Sequence, residues 1–158
     1  MMKTLSHLDQ QGKARMVNVG QKNTQSRYAR AEGHISLGPE TIELVRKNLI
    51  KKGDVLAIAE FAGIQASKQT ALLIPLCHNI PLDQVKVYAS PDDQGVHVES
   101  EVFSAGKTGV EMEALTAVSM ALLTVYDMCK AIDKNMVISG IRLLEKTKTD
   151  LPDEHENH

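Results

Sequence analysis

The segment Ala114–Tyr126 constrains the fold more than any other part of the chain. Thr116, Ser119 and Thr124 are its only polar residues before the closing Tyr126. It lies within a longer helix expected from Thr108 to about Lys134, opened by Thr108-Gly-Val-Glu111, which reads as a T-x-x-E capping box. A helix that is apolar on every side has to be covered on every side, and one sheet covers a single stripe. A second helix or a second subunit is therefore required.

The flanking segments supply partners for it. Tyr28–Leu37 alternates with period two, as a half-buried strand does, and Gly38-Pro39 ends it. Pro39 suits the first turn of a helix reaching about Lys51, with Ile42, Val45 and Leu49 on one stripe. Gly53 stops that helix and Asp54 caps a second one, which carries Val55, Ile58, Ala59, Ala62 and Ala66 and runs to about Leu72, ahead of Pro75. Gln84–Tyr88 and Val96–Val102 alternate around the turn-forming Ser90–Gly95, a hairpin signal. A last strand is expected from about Met136 to Leu144. This order matches an α+β, ferredoxin-like split β-α-β-β-α-β sandwich, an antiparallel sheet backed by helices. Residues 1–149 read as one domain and 150–158 as an acidic tail expected to be disordered.

Charge narrows the partners. Eighteen Lys and Arg against 20 Asp and Glu give −2, but the tail carries four of the acids and no base, so the body is +2. That balance, with 2 Phe, 3 Tyr and no Trp, speaks against a nucleic-acid binder, which needs a broad basic face or stacking rings. Cys77 and Cys129 form no C-x-x-C pair, and reduced thiols point to a cytoplasmic protein. The N-terminus has no apolar core of a signal peptide, and the longest purely apolar run, Ala71–Cys77, is too short to span a bilayer; no membrane role is expected.

Several residues carry chemistry. Gly106-Lys-Thr-Gly109 precedes a helix N-terminus, where free amides favour anions, but Glu101 stands where a Walker A loop needs glycine. Glu111 serves the capping box, whereas Glu113 has no such task. Asp127, Lys130 and Lys134 share a helix face among the apolar Val125, Tyr126, Met128 and Cys129. An exposed stripe of this kind is worth little, but a desolvated lysine loses proton affinity and becomes a usable acid or base. Glu113 and Asp127 are separated by about 21 Å of helix at ~1.5 Å per residue. Either one end alone is functional, or the ligand is extended, or opposite ends from two subunits combine. Lys51-Lys52 at a helix C-terminus is satisfied by the helix dipole and equally fits a proton-transfer role. Cys77-His78 alone is a weak zinc site, and His7, His34, His97, His155 and His158 are scattered, so no metal is expected.

Six segments in order, Met16-Val-Asn-Val19, Lys52-Gly-Asp-Val55, Ala62-Gly-Ile-Gln-Ala66, Ile74-Pro-Leu-Cys-His78, Gly106–Leu115 and Tyr126-Asp-Met-Cys-Lys-Ala131, together resemble the cyclic pyranopterin monophosphate synthase family of molybdenum cofactor biosynthesis. The likeness spans about residues 5 to 146. It implies a phosphorus-oxygen lyase that converts (8S)-3′,8-cyclo-7,8-dihydroguanosine 5′-triphosphate to cyclic pyranopterin monophosphate and pyrophosphate. It also implies a homohexamer, a trimer of dimers, with active sites at subunit interfaces. Asp127 matches the family's catalytic aspartate, and Lys52 and Lys130 its acid/base lysines. Leu76, Cys77, His78, Met112 and Glu113 match substrate-binding positions, as do Arg27, Glu111 and Lys146. No cofactor is required, although magnesium is compatible with a triphosphate. Two departures stand out: Asn18 replaces a common Asp, and Thr147-Lys-Thr-Asp150 stands where the family often has Gly-Gly-Lys-Ser-Gly. The alternative from another class is a non-catalytic ferredoxin-like module that senses a nucleotide or small anion.

Overall fold

A computed structural model of the protein describes residues 11–152. The elements run β1 (Gln25–Ser36), α1 (Pro39–Arg46), α2 (Val55–Ser67), α3 (Thr70–Leu73), β2 (Gln84–Pro91), β3 (Gly95–Gly106), α4 (Glu111–Cys129) and β4 (Val137–Asp150). The strands form one sheet in the order β2-β3-β1-β4, every neighbouring pair antiparallel. This is the expected α+β arrangement, with β3 inserted between β1 and β2.

The period-two pattern of β1 and β3 sorts their side chains. Ala29, Ala31 and Ile35 with Val96, Val98 and Val102 face the helices, and Ala114, Ala117, Val118, Ala121, Leu122 and Val125 of α4 close on them. The intervening residues, among them Arg30, Glu32, His97 and Glu99, form the opposite, charged face. The second cover that α4 needs comes from α2. Gly63 lets the two helices touch: a Cβ there would stand 2.8 Å from the Ala117 carbonyl oxygen. A stripe of α4 still remains open, with Leu123 52% exposed and Tyr126 beside it. By length and hydropathy α4 is also long and apolar enough to cross a membrane, but half of that stretch is buried within this fold, as in a core helix.

The expected boundaries shift for identifiable reasons. The first helix ends at Arg46 rather than Lys51, because Asn48 takes a left-handed conformation (φ 53°) and the Leu49 amide turns back to the Leu44 carbonyl. The second breaks at Lys68–Gln69, where the Thr70 hydroxyl takes the Ser67 carbonyl at 2.9 Å. The capping box does not form. Val110 occupies the N-cap, Glu111 is the first helical residue, and the Ala114 amide bonds to Val110. The C-terminus of α4 is Cys129, since Asp133 draws the chain aside by accepting from the Gly38 and Asn135 amides at 2.7 and 3.1 Å. β4 outruns its expected end by six residues, so Asp150 pairs with Gln25 rather than opening a tail. The tail beyond Pro152 lies outside the described residues.

The α2–α4 contact gives a direct test. Gly63→Ala is expected to push the helices apart and cost about 1–3 kcal/mol, as overpacking does. A urea midpoint equal to that of the parent would show that the contact yields freely.

Candidate active site

Each end of α4 carries its own group of reactive side chains. At the N-terminal end the first turn meets the loop after α3, where the Cys77 amide bonds to Ile74 and turns Leu76-Cys77-His78 toward the helix. Leu76, Cys77, His78, Met112 and Glu113 line one cleft of about 300 Å³, together with Val17 and Val19. Of the eight substrate-binding positions that the resemblance implies, these five and Glu111 line this cleft. His78 Nε2 lies 2.6 Å from the Val17 carbonyl, which only accepts. The ring therefore donates through Nε2, and in the neutral imidazole Nδ1 is left as the acceptor.

Glu113 is 4% exposed, and burial, helped by the charge of Glu111, raises its carboxyl above the usual range. Burial and the nearby Glu113 likewise push up the Cys77 thiol, which disfavours the reactive thiolate. Glu111 behaves oppositely. Burial works to raise it, but its own amide, Lys146 and Arg27 outweigh that effect and hold it low. Its Oε1 meets Lys146 Nζ at 3.0 Å, and its carboxylate packs over Gly109, where an added Cβ would displace the Glu111 side chain. Arg27, Glu111 and Lys146 line an adjoining cleft of about 390 Å³. One helical turn therefore offers a low and a raised carboxyl side by side, an arrangement suited to acid-base work.

At the C-terminal end Asp127 lies between two lysines. Its Oδ1 meets Lys130 Nζ at 3.0 Å and its Oδ2 meets Lys52 Nζ at 3.1 Å, while Lys52 also donates to the Asp127 backbone carbonyl at 2.9 Å. Lys130, then Lys52, holds the Asp127 carboxyl below its ordinary range. Lys134 turns away to the Lys130 carbonyl. The apolar neighbours do not desolvate this cluster within one chain: the side chains of Asp127, Lys52 and Lys130 are 58%, 46% and 57% exposed. Beside it runs an apolar cleft of about 460 Å³ with Leu49, Ile50 and Ile132 in its wall. Cys129, behind the cluster, is buried and its thiol is pushed up to about 11 by burial, with Asp133 adding to it.

Three further features of the fold have no counterpart in the local sequence pattern. His97 is not isolated, since β3 and β1 bring it to Glu32 at 2.9 Å and near Glu99, a geometry able to hold a metal ion. Arg142 and Arg30 already pair with those two carboxylates. Asp133, which ties the end of α4 to the start of α1, left no signal in the pattern. Lys22 and Lys148 also reach the site margin, the second on the polar part of β4 beyond Leu144.

The α+β fold thus carries a carboxyl-lined cleft and a separate lysine–aspartate–lysine cluster, side chains of the kind that can exchange protons with a polar ligand. The MoaC family model matches residues 16–149, and the chain belongs to that family. It is 53% identical over 147 residues to the cyclic pyranopterin monophosphate synthase of Thermomicrobium roseum, covering 92% of this chain and 89% of the relative. The enzyme of the same name from Heliobacterium modesticaldum is 54% identical over 148 residues, covering 92% and 93%. Molybdenum cofactor biosynthesis protein 1 of Drosophila melanogaster is 53% identical over 145 residues; the match takes 90% of this chain but 26% of that longer protein.

The raised Glu113 carboxyl has a consequence for stability. Its folded pKa lies above the unfolded value, so its contribution is present at low pH and is lost as pH rises through the folded value. Glu113→Gln is therefore expected to be more stable than the parent near neutral pH, with the gap closing below the ordinary glutamate value of 4.5. A gap that is constant with pH in urea unfolding would refute this.

Proposed function

We propose that the protein acts as a cyclic pyranopterin monophosphate synthase in molybdenum cofactor biosynthesis, converting (8S)-3′,8-cyclo-7,8-dihydroguanosine 5′-triphosphate to cyclic pyranopterin monophosphate with release of pyrophosphate. The observation that carries this reading is the division of the matched residues between the two ends of one helix. Leu76, Cys77, His78, Met112 and Glu113 line a cleft at one end, and Asp127 bridges Lys52 and Lys130 at the other. Opening an imidazole ring and rebuilding it as a pterin requires repeated proton transfers, which a carboxylate between two ammonium groups can relay. Closing the cyclic phosphate requires a sugar hydroxyl to attack the α-phosphorus while pyrophosphate leaves, and nearby cations offset the developing charge. Magnesium accompanying the triphosphate is compatible with this chemistry, and no residue is assigned to hold it.

The two groups lie about 21 Å apart along α4 at ~1.5 Å per residue, beyond the reach of one reacting centre. We therefore assign the complete site to two copies of the chain, one contributing its Glu113 end and the other its Asp127 end, within a trimer of dimers. Supporting this, the Asp127 cluster is half exposed in one chain, and Leu49, Leu123 and Ile132 stand exposed around it and along α4. Covering by a second copy would supply the desolvation that a single chain lacks. The two free cysteines, Cys77 and Cys129, fit a cytoplasmic setting. A non-catalytic sensor has no use for the lysine–aspartate–lysine cluster, which makes it the weaker reading.

Lys52→Ala, Lys130→Ala and Asp127→Asn are each expected to abolish pterin and pyrophosphate formation while circular dichroism and light scattering stay those of the parent. Normal turnover in all three would sink the reading. Inactive Glu113→Ala and Asp127→Asn chains, unfolded together and refolded as a mixture, are expected to regain part of the activity. A mixture as inactive as its components would place the whole site within one chain.

A further inference from the structure

Residues 17–20 run as a strap along the cleft that Cys77, His78 and Glu113 line. Val17 and Val19 are half-buried and belong to the cleft wall, whereas Asn18 between them is exposed, the alternation of an extended backbone. Hydrogen bonds at both ends tie this stretch to the body of the protein. The Val17 carbonyl accepts from His78 Nε2 at 2.6 Å, and the Gly20 carbonyl accepts from Lys107 Nζ at 2.8 Å. Between these ties the backbone is turned by Asn18, whose Oδ1 accepts from the Gly20 amide at 2.8 Å. A side-chain oxygen bonded to the amide two residues on imitates a backbone turn. Gly20 keeps that contact short, since a Cβ there would stand 3.1 Å from the Asn18 oxygen.

The consequence falls on His78. It is half-buried, and it sits in the loop between α3 and β2 rather than on a helix or strand. A ring on a loop keeps one orientation only where its surroundings lock it. Here the lock is the Val17 carbonyl, which holds the ring through a proton on Nε2 and leaves Nδ1 of the neutral imidazole as the accepting atom. That carbonyl is main chain, and its direction follows the turn that Asn18 closes. The turn requires an acceptor oxygen at position 18, which asparagine and aspartate both carry, and it does not require a charge. Asn18 in place of the common Asp therefore keeps the lock.

We propose that Asn18 is a positioning residue for His78. By closing the 17–20 turn it aims the Val17 carbonyl at the ring, fixing His78 with Nε2 protonated and Nδ1 set to accept from an N–H or O–H group of the ligand. The proposal rests on the synthase reading only for the identity of that ligand, the cyclised nucleotide, whose ring nitrogens and sugar hydroxyls are such donors.

The test uses the full-length assembly carrying nitrogen-15-labelled histidine, in mildly alkaline buffer. A ring N–H held in a short hydrogen bond is protected from exchange with water and gives a visible signal; that of His78 is identified by its loss in His78→Gln. The parent and Asn18→Asp are expected to show it, and Asn18→Leu, similar in size but without an acceptor, is expected to lose it. The ring signals of His34 and His97, bonded to Asp92 and Glu32 on the far face of the sheet, are expected to persist in every variant and report an intact fold. In turnover of the cyclised nucleotide, Asn18→Leu is expected to raise KM about fivefold, the size of one lost hydrogen bond, with kcat nearly unchanged and with the parent KM kept by Asn18→Asp. A protected His78 signal or an unchanged KM in Asn18→Leu would overturn the proposal and leave the synthase reading intact, as would Asn18→Asp behaving like Asn18→Leu. A His78 signal that follows position 18 as expected in a parent that makes no pterin would instead overturn the synthase reading and leave the role of Asn18 standing.

Discussion

Burial of α4 is the constraint on which the rest of the molecule depends. An apolar helix is stable in water only if most of its circumference is covered, and here the sheet covers one side and α2 another. The fit is close enough that Gly63 admits no side chain against Ala117. α4 is thereby a rigid rod with a fixed rotation, and the directions of the residues at its two ends follow from that rotation. Glu113 is turned into the protein at one end, and Asp127 is turned to solvent at the other.

The two ends have contrasting electrostatics. At the first turn, the buried Glu113 and the lysine-paired Glu111 have carboxyls displaced in opposite directions. At the last turn, Asp127 is held ionised between two ammonium groups, close to the carbonyl end of the helix that Lys52 also engages. The two ends lie too far apart along α4 for one reacting centre to touch both within a single chain. Their combination across two copies would supply a binding cleft, a proton relay and, at the margin, a row of cations.

Much of this was legible in the residues, and the failures have physical causes. The strands β1, β2 and β3, the hairpin and the apolar helix are written in periodicity, which local sterics and burial enforce together. The T-x-x-E capping box was misleading because Lys146, 35 residues downstream, takes the Glu111 carboxylate. The break between α2 and α3 depends on one hydroxyl, and the early end of α4 on Asp133 reaching Gly38, 95 residues away. Such long-range hydrogen bonds leave no trace in a local pattern. The ordered motifs fall on residues that the fold gathers at the two ends of α4, whereas the full extent of β4, and with it Lys148, was hidden by a run of polar residues that resembles a loop.

In the proposed assembly one reacting site is built from opposite ends of α4 in two chains. A crystal or cryo-electron-microscopy structure of the inactive Asp127→Asn assembly with the cyclised nucleotide bound tests it most directly. One nucleotide touching the Leu76–His78 and Glu113 cleft of one chain and the Lys52–Lys130 pair of another is the predicted result. A nucleotide held wholly within a single chain, with the second cluster facing solvent, would contradict it.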